Sequence, residues 1–273
     1  MTESSDHPVV RAHRDVVERL WTAPILHLCA SELPAPDQAT VLSAESRCGA
    51  VILRWIQDLP AGTRMMALDS QGIMLDEARS RVPEEEHRRI FFVQQRLNAL
   101  SYADGVFNGV VCLHGMVTRR QGKEGLQELA RVTAPEGKLV VSFPLVESFS
   151  EFYDLLDEAL RASNLESALP RLTELRENLI TEKEVAQFAE SLGLEVLELS
   201  EMSWEVAFGN GREYLYSPLV QETFFPHWIG AIRASDREEV LRYISTAFDT
   251  YWRARTLNST VKAALLVARK PAE

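Results

Sequence analysis

RMMALDSQGIMLDEAR, residues 64–79, is the stretch on which the fold turns. Its first half, Arg64 to Leu68, is a short apolar run of strand type that ends on Asp69; its second half changes to helical spacing over 71–81. A strand that ends on an acid and runs into a helix is half of a βαβ unit. The segments on either side repeat the pattern. TVLSA (40–44) reads as a strand, followed by a helix from Ala50 to Leu59 that stops at Pro60 and Gly62. IFFVQQ (90–95) and GVVCLH (109–114) read as the third and fourth strands, with the turn residues ADG between them. A helix over 123–132 and the strand KLVVSF (138–143) complete the series. Strands alternating with helices of this length imply right-handed crossovers and a mainly parallel sheet.

Outside this core the chain is different in character. Val9, Val10, His13, Val17, Leu20 and Trp21 recur at helical spacing until Pro24, after a polar start over 1–8. Residues 147–192 are charged and helical, with Thr181 and Glu184 in capping-box order. The strands 195–206 and 261–269 enclose a region, 208–258, rich in aromatics from Phe208 and Tyr214 to Tyr251 and Trp252. Ser235 and Glu238 form a second capping-box pattern, opening a helix to about residue 255. The expected organisation is an N-terminal helical cap (1–30), an α/β core (31–207), a helical insertion or lid (208–258) and a final core strand (259–273).

The net charge of −11 repels a phosphate backbone, so nucleic acid is excluded as a partner. Cys29, Cys48 and Cys112 are an odd number at wide spacing, which fits neither a disulfide framework nor a cysteine-rich zinc site, and no metal is expected. No apolar run approaches the ~18 residues of a membrane span, and MTESSDHPVV lacks the order of a signal peptide, so a cytoplasmic location is expected. His13-Arg14-Asp15 spells a kinase triplet without its companion motifs, and Asn258-Ser259-Thr260 is a sequon without secretory context.

Three stretches carry a family resemblance. DSQGIMLDEAR (69–79), LSYADGVFNGVVC (100–112) and GLQELARVTAPEGKLVVSFP (125–144) resemble, in the correct order, elements of the class I S-adenosylmethionine-dependent methyltransferases, especially the type-11 group that includes ubiquinone and menaquinone methyltransferases. The closing ARKP (268–271) is similar to the family's end. The resemblance implies a seven-stranded, doubly wound, Rossmann-like sheet with a helical insertion before the last strand.

It also implies where a cofactor would sit. The family's acid and glycine-rich loop correspond to VLSAESRCG (41–49), which puts Ser43 in place of the acid, Glu45 and Arg47 in place of the first two glycines, and leaves Gly49. Asp69 holds the ribose position. Arg96 replaces the acid that accepts from the adenine amino group, and an arginine has no acceptor. Asn108 replaces an Asp ahead of the fourth strand, and His114 is a candidate general base on the substrate side. Two functions follow from these residues. One is a methyltransferase-fold protein with a degraded S-adenosylmethionine site and no cofactor, a regulatory or scaffold protein that binds a protein partner or a second copy through 208–258. The other is an active S-adenosylmethionine-dependent enzyme for a small or lipid-like acceptor. Two acids and two arginines converging on one crevice predict at least one ion pair between Glu45 or Asp69 and Arg47 or Arg96.

Overall fold

The computed structural model describes residues 5–251 and 256–272. Residues 1–4, Trp252 and the expected end of the last helix near 255 lie outside the described residues.

Seven strands form one sheet: β1 (Thr40–Ala44), β2 (Arg64–Asp69), β3 (Ile90–Gln94), β4 (Phe107–Cys112), β5 (Thr133–Pro144), β6 (Glu195–Phe208) and β7 (Leu257–Arg269). Their spatial order is β3-β2-β1-β4-β5-β7-β6. The first five are parallel, and β7 runs antiparallel between β5 and β6. Chain direction reverses its walk across the sheet between β1 and β4, and a doubly wound sheet has its ligand crevice at that point, beyond the carboxyl ends of the strands.

Both faces of the sheet are covered, and the strand residues alternate between two cores. Val41, Val111, Val140 and Leu265 pack into one, while Leu42, Val110, Val141 and Leu266 pack into the other. The second core is closed by α5 (Arg119–Val132) and α8 (Glu182–Ser191), and the first by α3 (Ala50–Trp55), α6 (Ser150–Ala162) and the N-terminal helix. Between α3 and α5 lies α4 (Gly72–Arg81), and α7 (Leu169–Glu177) precedes α8.

The structure moves several sequence-based boundaries. The fourth strand ends at Cys112, so His114 lies beyond it; α3 ends at Trp55; and α5 starts at Arg119 because Thr118 and Gln121 form a complete capping box. The N-terminal helix does not stop at Pro24. It runs from α1 (Pro8–Ala12) through a π-helical stretch, His13–Thr22, into α2 (Ala23–Cys29), and Pro24 sits in the first turn of α2, where a missing N–H costs little. The last long helix begins at Arg237. Ser235 Oγ donates to the Asp236 carboxylate at 2.7 Å, so the Ser235–Glu238 pattern is not its cap.

Four short or medium helices follow β6: α9 (Gly211–Tyr216), α10 (Pro218–Glu222), α11 (Phe225–Trp228) and α12 (Arg237–Tyr251). Because β6 is parallel to β5, this segment leaves and re-enters the sheet at its carboxyl edge. Most of its aromatic residues form their own core around Phe149 and Phe152. The Phe152 and Trp228 rings stack at 3.8 Å, and Phe149 meets Tyr214, Phe224 and Trp228 edge-on at 5.5–5.9 Å. Phe152 is fully buried and carries this packing from α6. Phe152→Ala is expected to lower the unfolding free energy by about 3–5 kcal/mol, read as a fall in the urea midpoint at unchanged slope.

Candidate functional site

The loop that joins β1 to α3 forms the floor of the crevice. Glu45 (φ 48°), Arg47 (φ 49°) and Gly49 (φ 89°) all take the left-handed conformation, which favours glycine, so Glu45 and Arg47 occupy strained positions. Backbone bonds hold them there. Ser46 N–H donates to Leu68 O on β2 (2.8 Å), Gly49 N–H donates to Ser46 O (2.9 Å), and Ser46 Oγ donates to Ser43 O (2.8 Å). Ser43 is fully buried beneath this turn, with its hydroxyl 3.1 Å from Ser46 Oγ. Gly49 has a packing reason besides its φ: a Cβ there would sit 3.0 Å from the Ala78 Cβ, so α3 and α4 approach across it.

Asp69, at the end of β2, is fully buried and fully engaged. Its carboxylate accepts from Arg47 N–H at 3.0 Å and from Gln71 N–H at 2.8 Å. The Arg47 guanidinium folds back over the loop, 3.3 Å from Glu45 Oε2 and 3.8 Å from Asp69 Oδ1. This is the ion pairing that the residues predict, carried by one arginine. Arg96 takes no part in it. Its side chain is exposed at the rim, and a cavity of about 280 Å³ remains between it, Glu45, Ser70, Asn98 and Gly115. The crevice is therefore only partly filled.

Two carboxylates share one guanidinium in a dry setting. Burial pushes the Glu45 carboxyl up to about 7; Arg47 draws it down and Asp69 pushes it further up. Burial works against the charge on Arg47, but Asp69 and Glu45 outweigh it and hold its pKa above the ordinary value.

The N-terminal helix and the post-β6 helices cover this floor. Trp21 Nε1 donates to Leu113 O at 3.0 Å, Thr22 Oγ1 and His114 Nε2 share a 3.0 Å hydrogen bond, and His13 Nδ1 lies 3.1 Å from Glu222 Oε2 on α10. His114 is buried, and burial first, then His13 and Arg47, hold its pKa well below the usual imidazole range. It is a neutral imidazole tied to the N-terminal helix. His13 Nε2 is buried with no hydrogen-bond partner among the described residues. Asn108 lies in β4, where its side chain accepts from Thr40 N–H at 3.3 Å. Burial pushes the Cys48 thiol up to about 12. Among the described residues no group of His, Cys, Asp or Glu is placed to hold a metal.

Residues 45–137 match the family model for the methyltransferase domain. The chain is 34% identical over 100 residues to a demethylmenaquinone methyltransferase of Renibacterium salmoninarum, an overlap of 37% of this chain and 40% of that one. In this segment the chain is similar to the methyltransferase domain, and its sheet has the class I methyltransferase fold. It spans less than half the length of the curated methyltransferases that it matches. The fold extends further than the sequence similarity. A putative methyltransferase from Bacillus halodurans superposes with a TM-score of 0.56 at 15% identity, covering 92% of this chain and 98% of its own. The [4+2]-cyclase SpnF superposes with a TM-score of 0.54 at 13% identity, covering 92% and 81%. Within this methyltransferase fold, Glu222, Thr22 and His13 reach the crevice without any sequence signal that joins them to it. Glu222 is 209 residues from His13, and only the tertiary fold brings them together.

Two outcomes follow from this electrostatic arrangement. Arg47→Ala leaves Asp69 and Glu45 buried without their cation and is expected to cost about 1–4 kcal/mol, whereas Arg96→Ala should leave the urea midpoint within about 0.5 kcal/mol of wild type. The Glu45 carboxyl binds its proton more tightly folded than unfolded, so its contribution is complete below the ordinary carboxylate pKa and is lost as pH rises through about 7. Chemical unfolding at pH 5 and pH 8 should show Glu45→Gln gaining about 1–3 kcal/mol relative to wild type over that interval.

Proposed function

We propose that this methyltransferase-fold chain works without transferring a methyl group, as a regulatory or scaffold protein whose crevice is partly filled by its own loop. One observation carries this reading: the Arg47 guanidinium lies over Asp69 and Glu45, so the carboxylate at the ribose position is already bound by two N–H groups and flanked by a cation. In this arrangement the residues are a poor complement to S-adenosylmethionine. The cofactor carries a sulfonium and an ammonium group, which the Arg47 cation repels. The side chains of Glu45 and Arg47 stand where the family has glycines, and Arg96 offers no acceptor to an adenine amino group.

A protein partner or a second copy would meet the helices between β6 and β7. Their aromatic core is self-covered, with Tyr214, Phe224 and Trp228 buried; among the described residues, Tyr216 (65% exposed) and Tyr251 (57% exposed), whose hydroxyl is bonded to Glu158, present large rings at the surface of this segment. No helix among the described residues is long and apolar enough to cross a membrane. The acidic net charge supports the absence of a nucleic-acid partner and, with the three buried free thiols, a cytoplasmic setting.

The second reading, an active methyltransferase for a small or lipid-like acceptor, is favoured by the similarity to demethylmenaquinone methyltransferase and by the retained Asp69. It requires Arg47 to swing off Asp69. The chain would then orient the bound cofactor and shield it from water beneath the His13–Glu222 contact; the cofactor itself supplies the activated methyl group.

Calorimetric titration separates the two. No saturable heat is expected with S-adenosylmethionine or S-adenosylhomocysteine up to about 1 mM, while a micromolar dissociation constant supports the active enzyme instead. Glu45→Gly/Arg47→Gly should restore binding, because glycine accepts the left-handed backbone of both positions without strain.

A further inference from the structure

The cavity left open beside Arg47 has its own chemistry. It lies beyond the carboxyl ends of β1, β2, β3 and β4, beside the point between β1 and β4 where the sheet order reverses and a doubly wound fold places its ligand. Two arginines reach it from different elements: Arg96 from the segment after β3, and Arg120 from the first turn of α5. Among the described residues no hydrogen bond or ion pair engages either guanidinium, in contrast to Arg47, Arg81, Arg89 and Arg131, which are all paired. The two acids at the cavity do not cancel them. Glu45 is already paired with Arg47 and holds its proton towards neutrality, which leaves Glu124 as the single opposing charge. A locally cationic hollow has thus formed in a chain of net charge −11.

We propose that this hollow binds a small oxyanion, a phosphate or polycarboxylate group gripped between Arg96 and Arg120. This inference rests on the reading that the crevice no longer serves the methyl-donor cofactor. The guanidinium fork matches the geometry of phosphate and carboxylate oxygens and pairs with them bidentately. Asn98 and Ser70 offer further donors to the same space. A volume of about 280 Å³ leaves room for a small anion between the two guanidinium groups. The substitution of the family's acid by Arg96 then has a function: it inverts the charge that the site selects.

The test titrates the full chain separately with inorganic phosphate and with malonate, each against sodium chloride at matched ionic strength, and repeats both with Arg96→Gln and Arg120→Gln. Both side chains are exposed, so these variants should keep the wild-type unfolding midpoint. Saturable binding of either anion, weakened about tenfold or more in each variant, is the expected result, and the tighter of the two anions identifies the group recognised. Heats that match sodium chloride, or variants that bind as tightly as wild type, overturn the inference. S-adenosylhomocysteine is titrated in parallel. Its binding overturns the non-catalytic reading, whereas absence of anion binding overturns only the present one.

Discussion

One guanidinium shared between two buried carboxylates organises the region around the crevice. Arg47 lies against Glu45 and Asp69, and its own backbone N–H is bound by Asp69, so loop conformation and side-chain pairing hold each other in place. A left-handed backbone at two residues with side chains is costly, and the pairing is a compensation close at hand. The loop in turn positions Gly49 against Ala78, which sets how closely α3 and α4 approach. Above it, Glu222 adds its field to that of the two carboxylates on Arg47, so α10 is electrostatically tied to the floor that it covers.

The sheet does not depend on that charge cluster. Its central strands, β1, β4, β5 and β7, alternate apolar residues between two cores, each sealed by its own helices. The loop between β1 and α3 adds none of residues 45–47 to either core, so a methyltransferase-type sheet tolerates large changes at those positions. The likeness to SpnF, a [4+2]-cyclase by name, fits this physical separation of scaffold from site.

Sequence patterning revealed the scaffold for the same reason. Short apolar strand runs, helical runs and the stops at Pro60 and Gly62 are local signals, and the structure follows them to within a few residues. The capping box at Thr118 and Gln121 was available in the sequence and sets the true start of α5. The pattern at Ser235 was misleading, because Asp236 is a competing acceptor next to that hydroxyl. At the site, local order showed that Glu45, Asp69, Arg47 and Arg96 approach one another, but not which arginine pairs. That depends on the course of the chain after β3, which buries Leu97 and leaves Arg96 exposed. The covering residues, His13, Thr22 and Glu222, were beyond reach, because nothing in the local pattern links a π-helical stretch near the start of the chain to a short helix two hundred residues later.

The position of β7 has a consequence for how such a chain is made. In space it lies between β5 and β6, yet it is the last strand to be synthesised. Until residue 269 has emerged, β5 and β6 each present an unpaired edge, and β6 alone is fourteen residues long. The helices that precede β7 leave the ribosome before it does, and their aromatic core can gather around Phe149 and Phe152 in the interval. During vectorial synthesis this helical segment would then act as a placeholder, keeping the two open edges near each other until the final strand inserts and closes the sheet.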